Sequence, residues 1–438
     1  MKKLITAVLV AFILAAMCSC SIMDVLPEGL ITRKVIEPQA KKEYLTVEPD
    51  ALSYTKGYEP ISPKHSYDAL PKESEQTLYE GLMSVYYDIS DEMNKEAGLY
   101  PMPQVRVDAA MTEAEVRTVI KAIYDDNPEL FWTSGTVGYY SSGEETVVQL
   151  YSKYSPKEID DKLAVLHKAA NSFYATVPDG LSEYERELLV HDYIVDFVDY
   201  DKDVDPVNNE RNDPDIYTVY GALVNKLAVC EGYARAFQLL LNGIGVDCVS
   251  ISGYAGESEL HMWNAVGFND KWYAVDVTWD DSDAFVYKYA FFNLTTEQMA
   301  YDHEPSPMFT ELTEDEINGL EGDINCDVMN MFVPECSDNS MGYYYRTAPR
   351  FTDYNGDGIE STLLTAALAQ DETYTFYVDD KFDFDEVTSN LFINYPQYFF
   401  DYIDDVNNNL SNYSIDSSHI GYFPYKNLRI IAVELKYY

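Results

Sequence analysis

The segment from residue 261 to residue 279 constrains the fold more than any other, because its residues alternate in character on both sides of a short polar turn. Met262, Asn264, Val266 and Phe268 face one way on an extended strand, and His261, Trp263, Ala265 and Gly267 face the other. Asn269-Asp270 suits a two-residue hairpin turn, and Lys271 to Trp279 supplies the return strand. With Phe268 opposite Lys271, Trp263 faces Asp276, and His261 and Asp276 become diagonal neighbours on one face, their Cα atoms ~7–8 Å apart. Slipping the pairing by one residue would put the two on opposite faces. The other face gathers Met262, Val266, Phe268, Tyr273, Val275 and Val277, so its burial selects the register. The hairpin is therefore expected to present an imidazole oriented by a carboxylate.

A second element lies just upstream. Ala234, Phe237, Leu241 and Ile244 recur at helical spacing behind Cys230, and Gly243 after Asn242 marks the C-terminal stop. Cys230 then sits at or just before a helix N-terminus, where the backbone dipoles favour an anion and so a thiolate nucleophile. Nucleophile, base and orienter make the generalised triad Cys230, His261, Asp276. Taken singly, each of the three has a plain structural reading; the combination and its order carry the signal. Cys248, inside the strand pattern Val246 to Ile251, reads as an inert core thiol.

These residues resemble a known family. Val229-Cys230-Glu231-Gly232-Tyr233-Ala234, His261-Met262-Trp263-Asn264-Ala265-Val266 and Trp272-Tyr273-Ala274-Val275-Asp276-Val277-Thr278-Trp279-Asp280 are similar to the core of the transglutaminase-like superfamily, and the run-up His191-Asp192-Tyr193 with Tyr200-Asp201 resembles it too. The resemblance covers about residues 180 to 300. It implies a papain-like α+β core, a Cys-bearing helix packed on an antiparallel sheet, with Cys230 as nucleophile, His261 as base and Asp276 as orienter. It implies a thiolate that attacks a Gln carboxamide or a peptide amide, and a thioester resolved by an amine or by water. The oxyanion would take the Cys230 backbone N–H and a second donor. Tyr220 is a candidate for that donor, with Tyr217 as its competitor. Trp263, Trp279 and Tyr233 either line a substrate groove or pack around the site. No cofactor and no metal is expected.

The rest of the 438-residue chain bears on where such a core works. Lys plus Arg number 30 against 75 Asp plus Glu, a net charge of −45. Without a basic patch, a nucleic-acid partner is excluded. Lys2 and Lys3 precede an apolar run from Leu4 to Met17, shorter than the ~20 residues a membrane-spanning helix needs, so it reads as a signal peptide. The run ends in Met17-Cys18-Ser19-Cys20, which resembles a bacterial lipobox, with Cys20 favoured over Cys18 for lipidation because a small residue precedes it. Attachment to a lipid bilayer would then come from acyl chains and not from charge. The expected organisation is a signal peptide at 1–19, a tether at 20–64, an N-terminal α+β domain at 65–180, the core at 181–303 and a C-terminal α+β domain at 304–438.

Within the flanks, helices are expected from Pro71 to Glu96, behind the capping boxes at Thr112, Ser155 and Ser182, and over Thr313 to Leu320. Strands are expected at Glu129–Trp132, Thr146–Tyr151, Met341–Thr347, Glu372–Val378 and Leu428–Tyr437. His191 reads as a satisfied interface histidine. Cys326 and Cys336 could pair. Asp353-Tyr354-Asn355-Gly356-Asp357-Gly358 resembles the start of a calcium loop, but Leu364 stands where the twelfth-position Glu belongs, so it reads as a polar turn. C-x-x-C, H-E-x-x-H and P-loop patterns do not occur. The chain therefore reads as an exported, membrane-anchored cysteine acyltransferase or peptidase acting on a protein or peptide in the cell envelope or outside. The alternative is a non-catalytic surface binding module that retains the fold.

Overall fold

The computed structural model describes residues 63–202, 214–256, 259–281, 288–308 and 329–438. The signal peptide, most of the tether, Cys20, the helix expected over Thr313 to Leu320, and Cys326 lie outside the described residues. Among the described residues, no helix is long and apolar enough to cross a membrane.

After a helical turn at His65–Asp68, helix α1 (Glu73–Val85) buries Leu78, Leu82 and Val85 and stops well short of Glu96. Beyond Ile89 the polar run Asp91 to Lys95 holds one apolar residue, Met93, which is left exposed, and the chain turns instead into β1 (Tyr100–Pro101) and β2 (Val105–Val107). The capping boxes hold. Thr112 accepts from the Glu115 N–H to open α2 (Glu113–Asp126). After β3 (Thr133–Ser141) and β4 (Thr146–Ser152), Ser155 opens α3 (Pro156–Tyr174) and Ser182 opens α4 (Glu183–Phe197). Glu129 to Trp132 is not a strand; Phe131 and Trp132 are buried, and β3 begins after them.

Next come β5 (Asp199–Tyr200) and β6 (Leu227–Ala228), a short parallel pair that delivers the chain to α5 (Cys230–Gly243). Every residue of α5 is buried, and it packs on β7 (Asp247–Ala255) and β8 (Glu259–Phe268). With β9 (Lys271–Val275) and β10 (His303–Pro305) these strands form an antiparallel sheet in the order β10-β7-β8-β9. Asn269 and Asp270 join β8 to β9 with φ of 55° and 58°. Two residues at positive φ make the turn whose twist matches a hairpin, as the alternation requires. The return strand ends at Val275, not Trp279, because the Asp276 carboxylate accepts from the Thr278 N–H at 2.9 Å and bends the chain into a helical turn at Val277–Asp280.

The C-terminal region has its own sheet, in the order β11-β12-β14-β13, from β11 (Arg350–Phe351), β12 (Thr373–Val378), β13 (Gly421–Tyr425) and β14 (Ile430–Glu434). Helices α6 (Glu360–Ala369), α7 (Phe384–Phe392) and α8 (Tyr398–Asn407) share a core with it, including Phe351, Leu363, Phe376, Leu391 and Phe399. The strand expected at Met341–Thr347 is instead a short helix, Tyr343–Thr347. There Tyr343 stacks on Tyr289 at 3.8 Å. The calcium-like hexapeptide is a polar turn: Asp353 accepts from the Asn355 N–H at 2.8 Å, and Gly356 adopts φ 83°.

The described residues form two compact units. One takes those up to 272 with 276–278 and 302–335; the other takes 273–275, 279–301 and 336–438. This division differs from the expected boundary near 180, since residues 65–180 fall in the same unit as Cys230 and His261.

The hairpin turn gives a direct test. Replacing Asp270 by Val should cost about 1–2 kcal/mol of stability, because a β-branched residue resists positive φ, whereas Asp270→Gly should cost nothing measurable. Chemical denaturation of both variants checks the pair; equal losses would contradict the turn assignment.

Candidate active site

Cys230 is the first residue of α5, and its N-cap residue, Val229, has no side chain that could cap the helix. The first-turn N–H groups there are left to other acceptors. Two features press the helix start into place. Gly232 lies so close to the segment before it that a Cβ would meet the Ile216 carbonyl oxygen at 2.7 Å and the Thr218 carbonyl oxygen at 3.2 Å. Glu231 and Arg235 form a buried pair at 2.8 Å, and Arg235 also donates to the Tyr124 carbonyl at 2.9 Å, linking α5 to α2. Burial pushes the Glu231 carboxyl up, against the opposing pull of Arg235. On the sheet side, Asn264 of β8 donates to the Ala234 carbonyl at 3.0 Å and to the Val249 carbonyl at 3.2 Å, so helix and hairpin are tied by the same amide.

His261 and Asp276 meet as the hairpin register requires: Nε2 of His261 stands 2.6 Å from Oδ2 of Asp276. The charge and hydrogen bond of Cys230 act on the same imidazole, and with Nε2 on the carboxylate that contact falls to Nδ1. Burial alone would depress His261, but Asp276 and Cys230 more than offset it and push its pKa up to about 10. Burial alone would raise Asp276; the charge and hydrogen bond of His261, with a contribution from His303, hold it well below the usual carboxylate range.

His303 is the residue that sequence reasoning missed. Its Nε2 lies 3.0 Å from the same Asp276 Oδ2, and its Nδ1 lies 2.6 Å from Oδ1 of Asp302. The register explains the meeting. His303 pairs with Ala255, Pro305 with Gly253, and Gly253 with His261. Cross-strand partners share a face, so both imidazoles rise from the same side of the sheet, with ring centroids 5.6 Å apart. Gly253 keeps the middle strand clear: a Cβ there would stand 2.6 Å from the Trp263 ring and 2.3 Å from the Glu304 carbonyl oxygen. Three residues of β10 are too few to read as a strand from sequence, and the Asp302-His303 pair is the one signal that could have drawn notice.

The ligand atoms of His261, Asp276 and His303 lie within 4.8 Å of one another, a spacing a metal ion could use. Both Nε2 atoms are committed to one carboxylate oxygen, however, so the set reads as a hydrogen-bonded node.

The remaining expected residues fall elsewhere. Trp263 is 2% exposed and packs edge-on against His303 at 5.1 Å, so it is part of the packing and not the wall of an open groove. Tyr233 is fully buried and donates to the Val198 carbonyl at 2.8 Å. Trp279 belongs to the other unit and packs edge-on against Phe291 at 5.1 Å. The Tyr220 ring lies under the Lys162 ammonium at 3.8 Å and beside Phe131. Tyr217 is buried in a small cluster with Ile216 and Val229. His191 is buried beside Asp192 at 3.3 Å, and Cys248 is a fully buried thiol whose pKa burial pushes far up. Cys336 is buried.

Residues 173–277 match the family model of the Transglutaminase-like superfamily. The chain carries a transglutaminase-like domain. Two curated relatives are kyphoscoliosis peptidases. The mouse protein is 24% identical over 196 residues, which covers 37% of this chain and 29% of the relative. The human protein is 33% identical over 76 residues, 14% of this chain and 11% of the relative. The matches thus span less than a third of either relative's length. A solved TGase is similar over 40% of this chain and 50% of its own, at 15% identity and a TM-score of 0.24.

The node makes stability depend on pH with a defined sign. His261 and His303 have folded pKa values raised above the ordinary ~6.5, to about 10 and about 9. Their contribution is complete below ~6.5, declines above it, and is lost once pH passes those folded values. Asp276 is lowered, so its contribution is present above ~3.9 and is lost as pH falls through its folded value. Melting temperature should therefore drop between pH 8 and pH 10 in the native protein and drop less in Asp276→Asn. Parallel pH curves for the two would contradict the coupling.

Proposed function

We propose that the protein is an exported, membrane-anchored cysteine enzyme that attacks a Gln carboxamide or a peptide amide through a thioester. The observation that carries this reading is His261, held by Asp276 at 2.6 Å through one ring nitrogen and presented to Cys230 through the other. His261 takes the Cys230 thiol proton, giving a thiolate beside an imidazolium. The thiolate attacks the carbonyl carbon, and the new oxyanion accepts from the backbone N–H of Cys230. Collapse breaks the C–N bond, and the departing amine takes its proton from His261. An amine or water then attacks the thioester and gives its proton to His261; the C–S bond breaks and the thiolate returns.

An amine acceptor gives crosslinking; water gives deamidation or proteolysis. The apolar leader and Cys20 support export and anchoring by acyl chains in a lipid bilayer, and on that reading the substrate is a protein or peptide in the cell envelope or outside it.

A second reading has one observation in its favour: Cys230 is only 2% exposed. A domain whose thiol stays shut in this way would serve as a non-catalytic surface binding module.

Incubating the protein with casein-type proteins or Gln peptides, with and without a primary amine, distinguishes the two. Mass spectrometry should find an acyl adduct on Cys230 and amine incorporation or hydrolysis in the substrate. Cys230→Ala should abolish both, and Asp276→Asn should slow turnover by ~10⁴-fold if it behaves as other triad orienters do. Turnover that survives Cys230→Ala would overturn the assignment, and less than a tenfold loss would remove Asp276 from the triad.

A further inference from the structure

Asp276 serves two imidazoles through one oxygen, and the second has no place in a three-residue triad. The geometry fixes its protonation. Both ring nitrogens of His303 face carboxylate oxygens, Asp276 Oδ2 at 3.0 Å and Asp302 Oδ1 at 2.6 Å. An ionised carboxylate can only accept, so both nitrogens must donate, and the ring is an imidazolium. Its side chain has no exposed surface, Asp276 has none either, and the Asp302 side chain keeps 23%. The groups thus form a chain of alternating charge from the surface inward: Asp302, His303, Asp276, His261 and then Cys230. Trp263 closes the side of His303 with its ring edge-on at 5.1 Å.

From this arrangement we infer that His303 is a positioning residue of the site: an imidazolium kept charged by Asp302, which holds the Asp276 carboxylate toward His261 and offsets part of its charge. This rests on reading Cys230, His261 and Asp276 as a triad. Three donors, His261, His303 and the Thr278 N–H, lock the plane of the buried carboxylate. His303 also competes with His261 for one oxygen. Removing its charge leaves Asp276 to act on His261 alone, which strengthens the hold of His261 on its proton. Among the described residues, the titratable groups facing His303 are Asp276, Asp302 and His261.

The test is a histidine titration, which reads the coupling whether or not the protein turns over substrate. The chain has six histidines, so 13C labelling at Cε1 gives few signals, assigned by single substitutions. In His303→Gln, which keeps an N–H donor and loses the charge, the His261 midpoint should rise by about one pH unit, while that of His65 stays in place. In Asp302→Asn, at the partly exposed end of the chain, the His303 midpoint should fall by a similar amount. An unmoved His261 midpoint in His303→Gln overturns the proposal. Should that variant fail to fold, an unmoved His303 midpoint in Asp302→Asn overturns it instead. A purely structural His303 would lower the melting temperature and leave the midpoints alone. Iodoacetamide labelling of Cys230 in the unsubstituted protein, run alongside, separates the two readings: an ordinary thiol there sinks the enzyme and leaves the titration result to stand or fall by itself.

Discussion

A carboxylate with no exposed surface is costly to bury unless its oxygens are met by donors and its charge by a cation. Asp276 meets both conditions, with two imidazoles on Oδ2 and the Thr278 N–H on Oδ1. The rest of the site follows from that requirement. His261 must stand on the same face as Asp276, which fixes the hairpin register. His303 must reach the same oxygen from across the sheet, which requires β10 to lie beside β7, and a glycine at 253 so that no side chain intervenes. The charge held this way is what keeps His261 protonated well above the ordinary range.

The nucleophile side rests on packing. Helix α5 is buried along its whole length, so its start cannot drift without disturbing the core. Gly232 admits the Ile216–Thr218 backbone at a distance that a side chain would forbid, and the Glu231–Arg235 pair binds the first turn to the end of α2. The N-terminal segment is therefore part of the scaffold that holds Cys230, which is why it shares a compact unit with the core.

Much of this was legible in the sequence, for identifiable reasons. Alternation around Asn269-Asp270 gave the hairpin, because burying one face admits a single register. Helical spacing behind Cys230 placed the thiol, and the capping boxes at Thr112, Ser155 and Ser182 placed three helices. His303 escaped because its strand is three residues long and its partner strand lies about fifty residues upstream, so no local pattern sets its register. Tyr233 and Trp263 were open to two readings because aromatic side chains near a site serve equally as lining or as core; only their burial decides. The tyrosines at 343–345 favour a strand by propensity, yet they lie in a short helix in which Tyr343 stacks on Tyr289.

The central claim is that Cys230 is a nucleophile poised by His261. The most direct measurement is the rate of iodoacetamide labelling at Cys230 as a function of pH, located by mass spectrometry, in the native protein and in His261→Ala. The account predicts fast labelling that persists well below ~8.5, the ordinary thiol value, and that disappears when the imidazole is removed. An ordinary thiol profile, the same in both proteins, would contradict it.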